Sequence, residues 1–213
     1  MYKVKIENNL KSLNKKLQNS KKISLGAWMQ ISSPSIAGIM ASKDFDWVTI
    51  DMEHGEFHEI NLSSIFNAIE NFNKLPFVRV SNKETDKIPN FLDLGAKGIL
   101  IPKIETKKEL IKIISETYFP PHGNRGVSFC RANSYGKYFN EYYKSSINNL
   151  IIPMIETKKS LENFSTSLEN ARKTLEDCSK NAFFFARKTL EKVSVENSQK
   201  TLLALLRVDQ TVF

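Results

Sequence analysis

The sequence lacks an apolar run near the ~20 residues that a membrane-spanning helix needs. Its start, Met1-Tyr-Lys-Val-Lys-Ile-Glu7, has no apolar stretch of the kind found in signal peptides. Its two cysteines, Cys130 and Cys178, form no Cys-x-x-Cys pair, which excludes the common zinc and redox motifs. We therefore expect a cytoplasmic protein whose thiols are free and take no part in catalysis.

The 213 residues, 41% hydrophobic and 25% charged, are typical of a soluble globular protein. The formal net charge of +8 is concentrated near the start, where residues 1–22 hold seven lysines against Glu7 alone. Leu10, Leu13 and Leu17 recur at helical spacing, which predicts a Lys-rich amphipathic helix with a solvated face. Nucleic-acid binding is the less favoured alternative, because too few aromatic residues accompany the lysines to form a stacking platform.

From residue 23 onward, short apolar runs alternate with amphipathic stretches. Strands are predicted at residues 23–29, 47–51, 77–80, 98–102 and 150–154, and helices at 35–42, 60–71, 88–94, 106–115 and from 157. Apolar strands separated by helices indicate a parallel sheet covered by helices. Several such units in succession favour an α/β fold of the (β/α)8 TIM-barrel type, with an open doubly wound sheet as the alternative.

An internal repeat supports the barrel. The segment Ile101-Pro-Lys-Ile-Glu105-Thr-Lys-Lys closely matches Ile152-Pro-Met-Ile-Glu156-Thr-Lys-Lys. Both copies are interpreted as a strand end, a carboxylate and the start of a helix. The repeat thus predicts Glu105 and Glu156 at the carboxyl ends of strands, where barrels carry their active sites.

The pattern changes after residue 164. Residues 165–213 contain no glycine or proline, and Ala171-Arg-Lys-Thr-Leu-Glu176 recurs as Ala186-Arg-Lys-Thr-Leu-Glu191. This segment is predicted to be mostly helical around one short apolar strand at residues 182–185. The expected organisation is a Lys-rich helix (1–22), a barrel region (23–164) and a divergent C-terminal segment (165–213).

The segment Asp51-Met-Glu-His54-Gly55 follows a predicted strand and precedes a helix. A histidine just past a strand end lies on a loop at the active-site end of a barrel. Asp51, three residues earlier, can accept a hydrogen bond from one ring nitrogen of His54, which fixes the tautomer and raises the basicity of the other nitrogen. An ordinary surface-loop histidine is an equal alternative.

Four further residues are candidates for ligand contacts. Arg79 lies in an apolar run, where its charge is costly unless paired; it is suited to bidentate carboxylate binding or to a structural ion pair. Glu156 offers hard oxygen ligands suited to Mg²⁺ or Mn²⁺, although on spacing alone a helix-capping role is favoured. In the loop 118–126, rich in proline and glycine, His122 and Arg125 face a ligand or serve the loop itself.

Together these segments resemble the HpcH/HpaI aldolase family, the class II pyruvate aldolases that cleave 2-keto-3-deoxy sugar acids and 4-hydroxy-2-oxo acids. The resemblance runs from about residue 22 to about residue 164. It rests on Gly26-Ala-Trp28, Ser33-Pro-Ser-Ile-Ala37, residues 45–54, Val78-Arg-Val80, Leu92-Asp-Leu-Gly-Ala96, Ile101-Pro102, residues 119–127 and Pro153-Met-Ile-Glu156. The order and spacing of these pieces are specific, although no single piece is.

The resemblance implies a homo-oligomeric barrel with a divalent metal that stabilises the pyruvate enolate as a Lewis acid, so that no Schiff-base lysine is needed. By motif, His54 is the acid/base and Asp51 orients it. Arg79 steadies the pyruvate carboxylate and enolate, and Glu156 is a metal ligand. The implied function is that of a lyase, which reversibly cleaves its substrate to pyruvate and an aldehyde.

Two further residues are assigned to substrate binding by the same resemblance. Asp93 matches a residue near the aldehyde end, acting across a subunit contact, and Trp28 is expected beside the substrate. The expected partners are small keto acids, aldehydes and further copies of the chain. No nucleic acid or membrane is expected among them.

The C-terminal part departs from the family pattern. The second metal ligand of the family, an aspartate in a Gly-Pro-x-Asp-Leu-Ser strand end, falls on Thr189, a poor ligand for a hard cation, and the chain ends at Phe213. An incomplete barrel exposes sheet edges and apolar surface. Either helices or another subunit replace the missing part, or the chain is a truncated or frame-disturbed gene product, which is the favoured interpretation. The alternative function is an inactive barrel remnant that binds a ligand or a partner subunit.

Overall fold

A computed structural model describes residues 2–18, 23–81 and 84–163. The helices are α1 (Tyr2–Gln18), α2 (Pro34–Ala41), α3 (Glu59–Asn71), α4 (Ile88–Leu94), α5 (Lys107–Thr117) and α6 (Phe139–Ser145). The strands are β1 (Gly26–Met29), β2 (Trp47–Asp51), β3 (Leu75–Arg79), β4 (Gly98–Ile101) and β5 (Leu150–Pro153). Residues 158–163 are helical.

The strands of the described residues form one parallel sheet in the order β1-β2-β3-β4-β5. A doubly wound sheet reverses its strand order once. Because no reversal occurs among these strands, the order is that of a barrel wall, and the predicted parallel sheet covered by helices is confirmed.

Local sequence signals define the helix ends. The Ser33 side chain caps α2 by accepting the Ile36 N–H, and Pro34 occupies the first turn. Thr106 and Glu109 form a reciprocal capping box at the start of α5. Helix α4 ends at Gly95, whose φ of 117° lies in the left-handed region that glycine adopts without steric cost.

The alternation of side chains along the strands separates two apolar layers. One strand face, which includes Val48, Ile50, Val78 and Ile99, packs against helices α2 to α5 in the larger core. The other face carries Trp47 and Phe77, whose rings stack at 5.2 Å between centroids. A β-carbon on Gly26 would lie 2.1 Å from the Trp47 ring, so this inner layer requires glycine there.

Helix α1 packs against the inner layer at the amino end of the sheet. Its buried side chains Ile6, Leu10 and Leu13 contact an apolar cluster formed by Leu75, Phe77, Leu100 and Leu150. Its polar side chains bind residues one or two positions before strands, in the pairs Lys16–Asp46, Asn9–Asn73, Glu7–Lys97 and Asn14–Asn148. The leucine spacing at the start of the chain therefore serves to dock this helix against the sheet.

One stretch of the chain differs from the sequence-based prediction, and another lies outside the described residues. Helix α6 and the short 3-10 helices Arg131–Asn133 and Ser146–Asn148 occupy a stretch for which the sequence predicts no element. The divergent segment 165–213, including the predicted strand at 182–185 and Thr189, lies outside the described residues. Among the helices of the described ranges, none is long and apolar enough to cross a membrane.

Candidate functional site

Charged residues gather at the carboxyl edge of the sheet. Asp51 and Arg79 are the last residues of β2 and β3 and are paired across the two strands. Trp28 lies at the end of β1, and Gln30 directly follows that strand. Glu156 follows β5 by three residues. The edge that carries active sites in barrels therefore holds predicted residues from four segments, of which Trp28, Asp51 and Arg79 contact one another.

The Asp51 carboxylate is the centre of this cluster and is fully buried. Arg79 binds it bidentately, with Nε 2.8 Å from Oδ1 and Nη2 2.5 Å from Oδ2. The indole Nε1 of Trp28 and the amide Nε2 of Gln30 each donate to Oδ2 at 3.1 Å. The backbone N–H groups of the next turn donate to Oδ1 at 3.1 Å, from Glu53 and His54.

These contacts decide the charge state of Asp51. Burial by itself raises the pKa of its carboxyl, but the hydrogen bonds from Arg79, Trp28 and Gln30 outweigh burial and hold the pKa well below its ordinary value. The guanidinium of Arg79 also lies 5.0 Å from the centroid of the Trp28 ring. Asp51 is therefore a fixed anion that holds Arg79 in place.

His54 lies on the turn after β2, with its side chain 65% exposed. The ring was expected to donate to Asp51, but among the described contacts Asp51 receives the backbone N–H of His54 instead. The ring lies beside Glu53, with 3.8 Å between Nε2 and Oε2. The same Glu53 oxygen is 3.3 Å from Arg79 Nη1. The His54 ring does not bind Asp51 because six donors already fill the acceptor positions of that carboxylate.

The two carboxylates of the internal repeat have different partners. The Oε2 of Glu156 accepts the backbone N–H of Lys103 at 2.9 Å. Glu105 accepts the Thr157 hydroxyl at 3.0 Å and pairs with the Lys159 ammonium at 2.8 Å. The hydrogen bond from Lys159 lowers the pKa of Glu105 below its ordinary value. Each turn thus contacts the other across neighbouring strands β4 and β5.

The described residues do not by themselves make up a metal site. Glu156 supplies one carboxylate, but within the ranges that the structure describes no three His, Cys, Asp or Glu side chains are grouped so that they could hold an ion. Divalent cations of the Mg²⁺ and Mn²⁺ type need several oxygen ligands. The position matched to the second protein ligand, Thr189, lies outside the described residues.

Asp93 is not brought to this cluster within one chain. It lies near the end of α4, five residues before β4 begins, which places it at the amino end of the sheet. There it pairs with the buried Arg125 guanidinium, which stacks 4.6 Å from the Phe119 ring, and contacts the Tyr142 and Ser128 hydroxyls. Arg125 therefore serves the loop itself, and His122 and His58 lie on the exposed surface.

Two side chains of the cluster are absent from the sequence-based candidates. Gln30 follows β1 directly and donates to Asp51, and Glu53 bridges Arg79 and His54. Both lie at or just past a strand end, next to predicted residues. Their position at a strand end is the sequence signal that could have identified them, but it does not predict which neighbour each side chain contacts.

Comparison with known proteins follows the same segments. The sequence profile of the HpcH/HpaI aldolase/citrate lyase family matches residues 24–166. A 5-keto-4-deoxy-D-glucarate aldolase of Escherichia coli O139:H28 (strain E24377A / ETEC) is 32% identical over 145 residues, which are 68% of this chain and 57% of that protein. The chain therefore spans little more than half the length of the curated relatives it matches.

Solved structures agree with the fold. An HpcH/HpaI aldolase/citrate lyase family protein from Burkholderia cenocepacia J2315 has a TM-score of 0.71 at 24% identity, covering 91% of this chain and 79% of the other. Macrophomate synthase has a TM-score of 0.60 at 28% identity, covering 75% and 56%. The predicted barrel-type α/β fold is confirmed by these neighbours. The chain belongs to the HpcH/HpaI aldolase/citrate lyase family.

Proposed function

We propose that this chain catalyses reversible aldol cleavage of a 2-keto-3-deoxy sugar acid or a related 4-hydroxy-2-oxo acid to pyruvate and an aldehyde. The observation that carries the proposal is the Asp51–Arg79 pair at the carboxyl edge of the sheet, with the exposed His54 ring beside it. The first compound to test is 5-keto-4-deoxy-D-glucarate, because it is named in the relative that is 32% identical.

Arg79 supports binding of the keto acid. A guanidinium has five N–H donors, and the described contacts with Asp51 and Glu53 use three of them. The other two are available to the carboxylate of the substrate and to the enolate oxygen that forms when the bond breaks. Because Asp51 fixes the guanidinium, these donors are positioned before the substrate arrives.

His54 supports proton transfer. In the cleavage direction its ring accepts the proton of the C4 hydroxyl while the C3–C4 bond breaks, which releases the aldehyde and leaves the enolate of pyruvate. A proton is then delivered to C3, which gives pyruvate and restores the ring. An exposed imidazole suits this role because its ring nitrogens can both accept and donate a proton.

The family is generally dependent on a divalent metal. When bound, Mg²⁺ or Mn²⁺ supplies Lewis-acid stabilisation of the enolate. We propose Glu156 as one protein ligand, since its carboxylate lies at the same edge of the sheet. We also propose a cytoplasmic homo-oligomer in which Asp93 and the Trp28 side chain contribute to substrate binding, Asp93 across a subunit contact.

A coupled assay for released pyruvate, run with Mg²⁺ or Mn²⁺ over a panel of such acids, tests the proposal. We expect release from at least one acid and a fall in kcat/KM of about 10²–10³ in Arg79→Gln, the scale for loss of an anion-stabilising donor. The control is Lys112→Gln, which removes an exposed cation far from the cluster. If the folded protein releases pyruvate from none of the acids, the proposal is contradicted.

The second candidate is a non-catalytic barrel that binds a ligand or partner. The observation that favours it is the single carboxylate, Glu156, that the described residues offer to a metal. Calorimetric titration with Mn²⁺ in the presence of pyruvate separates the two. Tight Mn²⁺ binding that is lost in Glu156→Gln supports the aldolase, whereas pyruvate binding without Mn²⁺ binding supports the second candidate.

A further inference from the structure

The turn that carries His54 is held by its backbone. The Gly55 N–H donates to the Asp51 carbonyl at 2.9 Å, and a β-carbon on Gly55 would lie 2.4 Å from that oxygen. The Asp51 carboxylate also accepts the N–H groups of Glu53 and His54. This turn therefore fixes where the Glu53 and His54 side chains begin, but it leaves the orientation of the His54 ring to other contacts.

Asp51 has no capacity left to orient that ring. A carboxylate offers about four lone-pair positions, and Asp51 already accepts six hydrogen bonds from Arg79, Trp28, Gln30 and the two turn amides. A ring nitrogen would have to displace one of these donors. The loss would leave a buried polar group unpaired, which costs more than a bond to an exposed ring returns.

Glu53, unlike Asp51, has a carboxylate oxygen that faces the His54 ring. Its side chain is 12% exposed, and its Oε2 lies between Arg79 Nη1, at 3.3 Å, and His54 Nε2, at 3.8 Å. A separation of 3.8 Å is longer than a hydrogen bond, but a small rotation of the exposed ring closes it. The charged groups described around the ring are thus Glu53 directly, and Asp51 and Arg79 behind it.

We infer that Glu53 is a positioning residue, the carboxylate that orients the His54 ring and couples it to Arg79. The inference rests on the proposed aldolase function for its catalytic consequence, but not for its geometry. A carboxylate facing Nε2 keeps the proton of the neutral ring on that nitrogen and holds the ring beside the guanidinium. Asp51, by contrast, acts on Arg79 and on the backbone of the turn.

Ring spectra of the whole chain test the geometry without requiring activity. The chain has three histidines, so His58→Gln and His122→Gln assign the imidazole ¹⁵N signals. We expect the ratio of Nε2–H to Nδ1–H forms of His54 to fall at least about twofold in Glu53→Gln. The matched control is Glu56→Gln, which removes the same charge from an exposed position in the same loop. No change in Glu53→Gln, or an equal change in both variants, overturns the inference.

Kinetics test the coupling to the reaction. In Glu53→Gln we expect kcat for pyruvate release to fall by about 10- to 100-fold, the scale for losing a carboxylate behind a metal-bound histidine, while KM stays within about twofold. Glu53→Asp, which keeps the charge, is expected to recover part of the loss, and Glu56→Gln to match the unsubstituted chain. A loss confined to KM overturns the positioning role.

The two kinds of failure are distinguishable. If no variant and no unsubstituted chain releases pyruvate, the proposed function fails, and the ring spectra still decide the inference about Glu53. If pyruvate is released normally by Glu53→Gln, the positioning role fails and the aldolase proposal stands. Thermal melting followed by circular dichroism verifies that each variant is folded before either measurement.

Discussion

Replacing Asp51 by asparagine isolates the charge at the centre of the cluster. The substitution keeps the shape and one acceptor, but it puts an NH₂ group among donors from Arg79, Trp28 and Gln30. The Asp51 side chain is 0% exposed and that of Arg79 is 11% exposed, so the guanidinium loses its bidentate counter-charge where water hardly replaces it and keeps only Glu53 at 3.3 Å. Removing one partner of a buried ion pair costs about 3–5 kcal/mol.

Urea unfolding followed by circular dichroism measures this cost, and for a chain of this length it corresponds to a fall in Tm of about 6–20 °C. The control is Asp46→Asn at the other end of the β2 segment, where the pair with Lys16 is 31% exposed on both sides and is expected to contribute about 1 kcal/mol. Adding Arg79→Met to Asp51→Asn should recover part of the loss, because the guanidinium that lacks its main counter-charge is removed and only Glu53, at 12% exposure, loses a partner. An Asp51→Asn loss no larger than that of Asp46→Asn would refute the reasoning.

Three further predictions concern stability. The folded chain holds the pKa of Asp51 below its ordinary value of 3.8, so the unfolded chain binds a proton there at higher pH than the folded chain does. The stabilisation from ionised Asp51 is therefore full above about pH 5 and is lost as the pH falls below 4. Urea midpoints of the unsubstituted chain should decline more steeply with acid than those of Asp51→Asn. Gly26→Ala should destabilise by about 1–3 kcal/mol because its β-carbon meets the Trp47 ring, whereas Gly126→Ala, with nothing within 4 Å, should change Tm little. Leu10→Ala should cost about 2–5 kcal/mol in the same urea assay because Leu10 is fully buried under the sheet; a cost below 1 kcal/mol would show that α1 is not docked in solution.

Most of the described fold follows from local signals in the sequence. β2 occupies 47–51 as predicted, because an apolar run ends there in an acid, and α4 ends at Gly95 because glycine alone adopts its φ without cost. β1 begins three residues later than predicted. Ile23 and Leu25 are exposed, and the backbone of Leu25 bonds to Asp46 instead of extending the strand.

Helix α6 could not be predicted because its stability comes from distant residues. Its sequence, Phe139-Asn-Glu-Tyr-Tyr-Lys-Ser145, places only Phe139, Tyr142 and Tyr143 at helical spacing, which is too short a pattern to predict a helix. The helix is held instead by Tyr142, which contacts Arg125 and Asp93, and by Tyr143, which stacks on Phe119 at 5.0 Å. Such contacts join residues more than 15 positions apart, and spacing along the chain does not reveal them.

The cluster around Asp51 was predictable in part, because Arg79 and Trp28 were candidates from the sequence whereas Gln30 and Glu53 were not. The period of two along parallel strands places Asp51, Arg79 and Trp28 on the same inner face at the same edge, which the sequence alone indicates. A spacing of three residues between Asp51 and His54 allows a contact but does not specify whether the ring or the backbone makes it. Which of the two binds Asp51 depends on the donors from other segments, Trp28, Gln30 and Arg79, that already occupy its acceptor positions.

The internal repeat shows how equal sequences acquire different chemistry from their place in a sheet. Glu105 and Glu156 follow neighbouring strands in matching segments, so spacing alone predicts cation binding equally for both. Glu105, however, is neutralised by the Lys159 ammonium at 2.8 Å and also accepts the Thr157 hydroxyl. Glu156 gives one oxygen to the Lys103 N–H, and the described contacts leave Oε1 for a ligand. Because a paired carboxylate must lose its counter-charge before it binds Mg²⁺ or Mn²⁺, a divalent cation at this edge is expected to select Glu156 over Glu105.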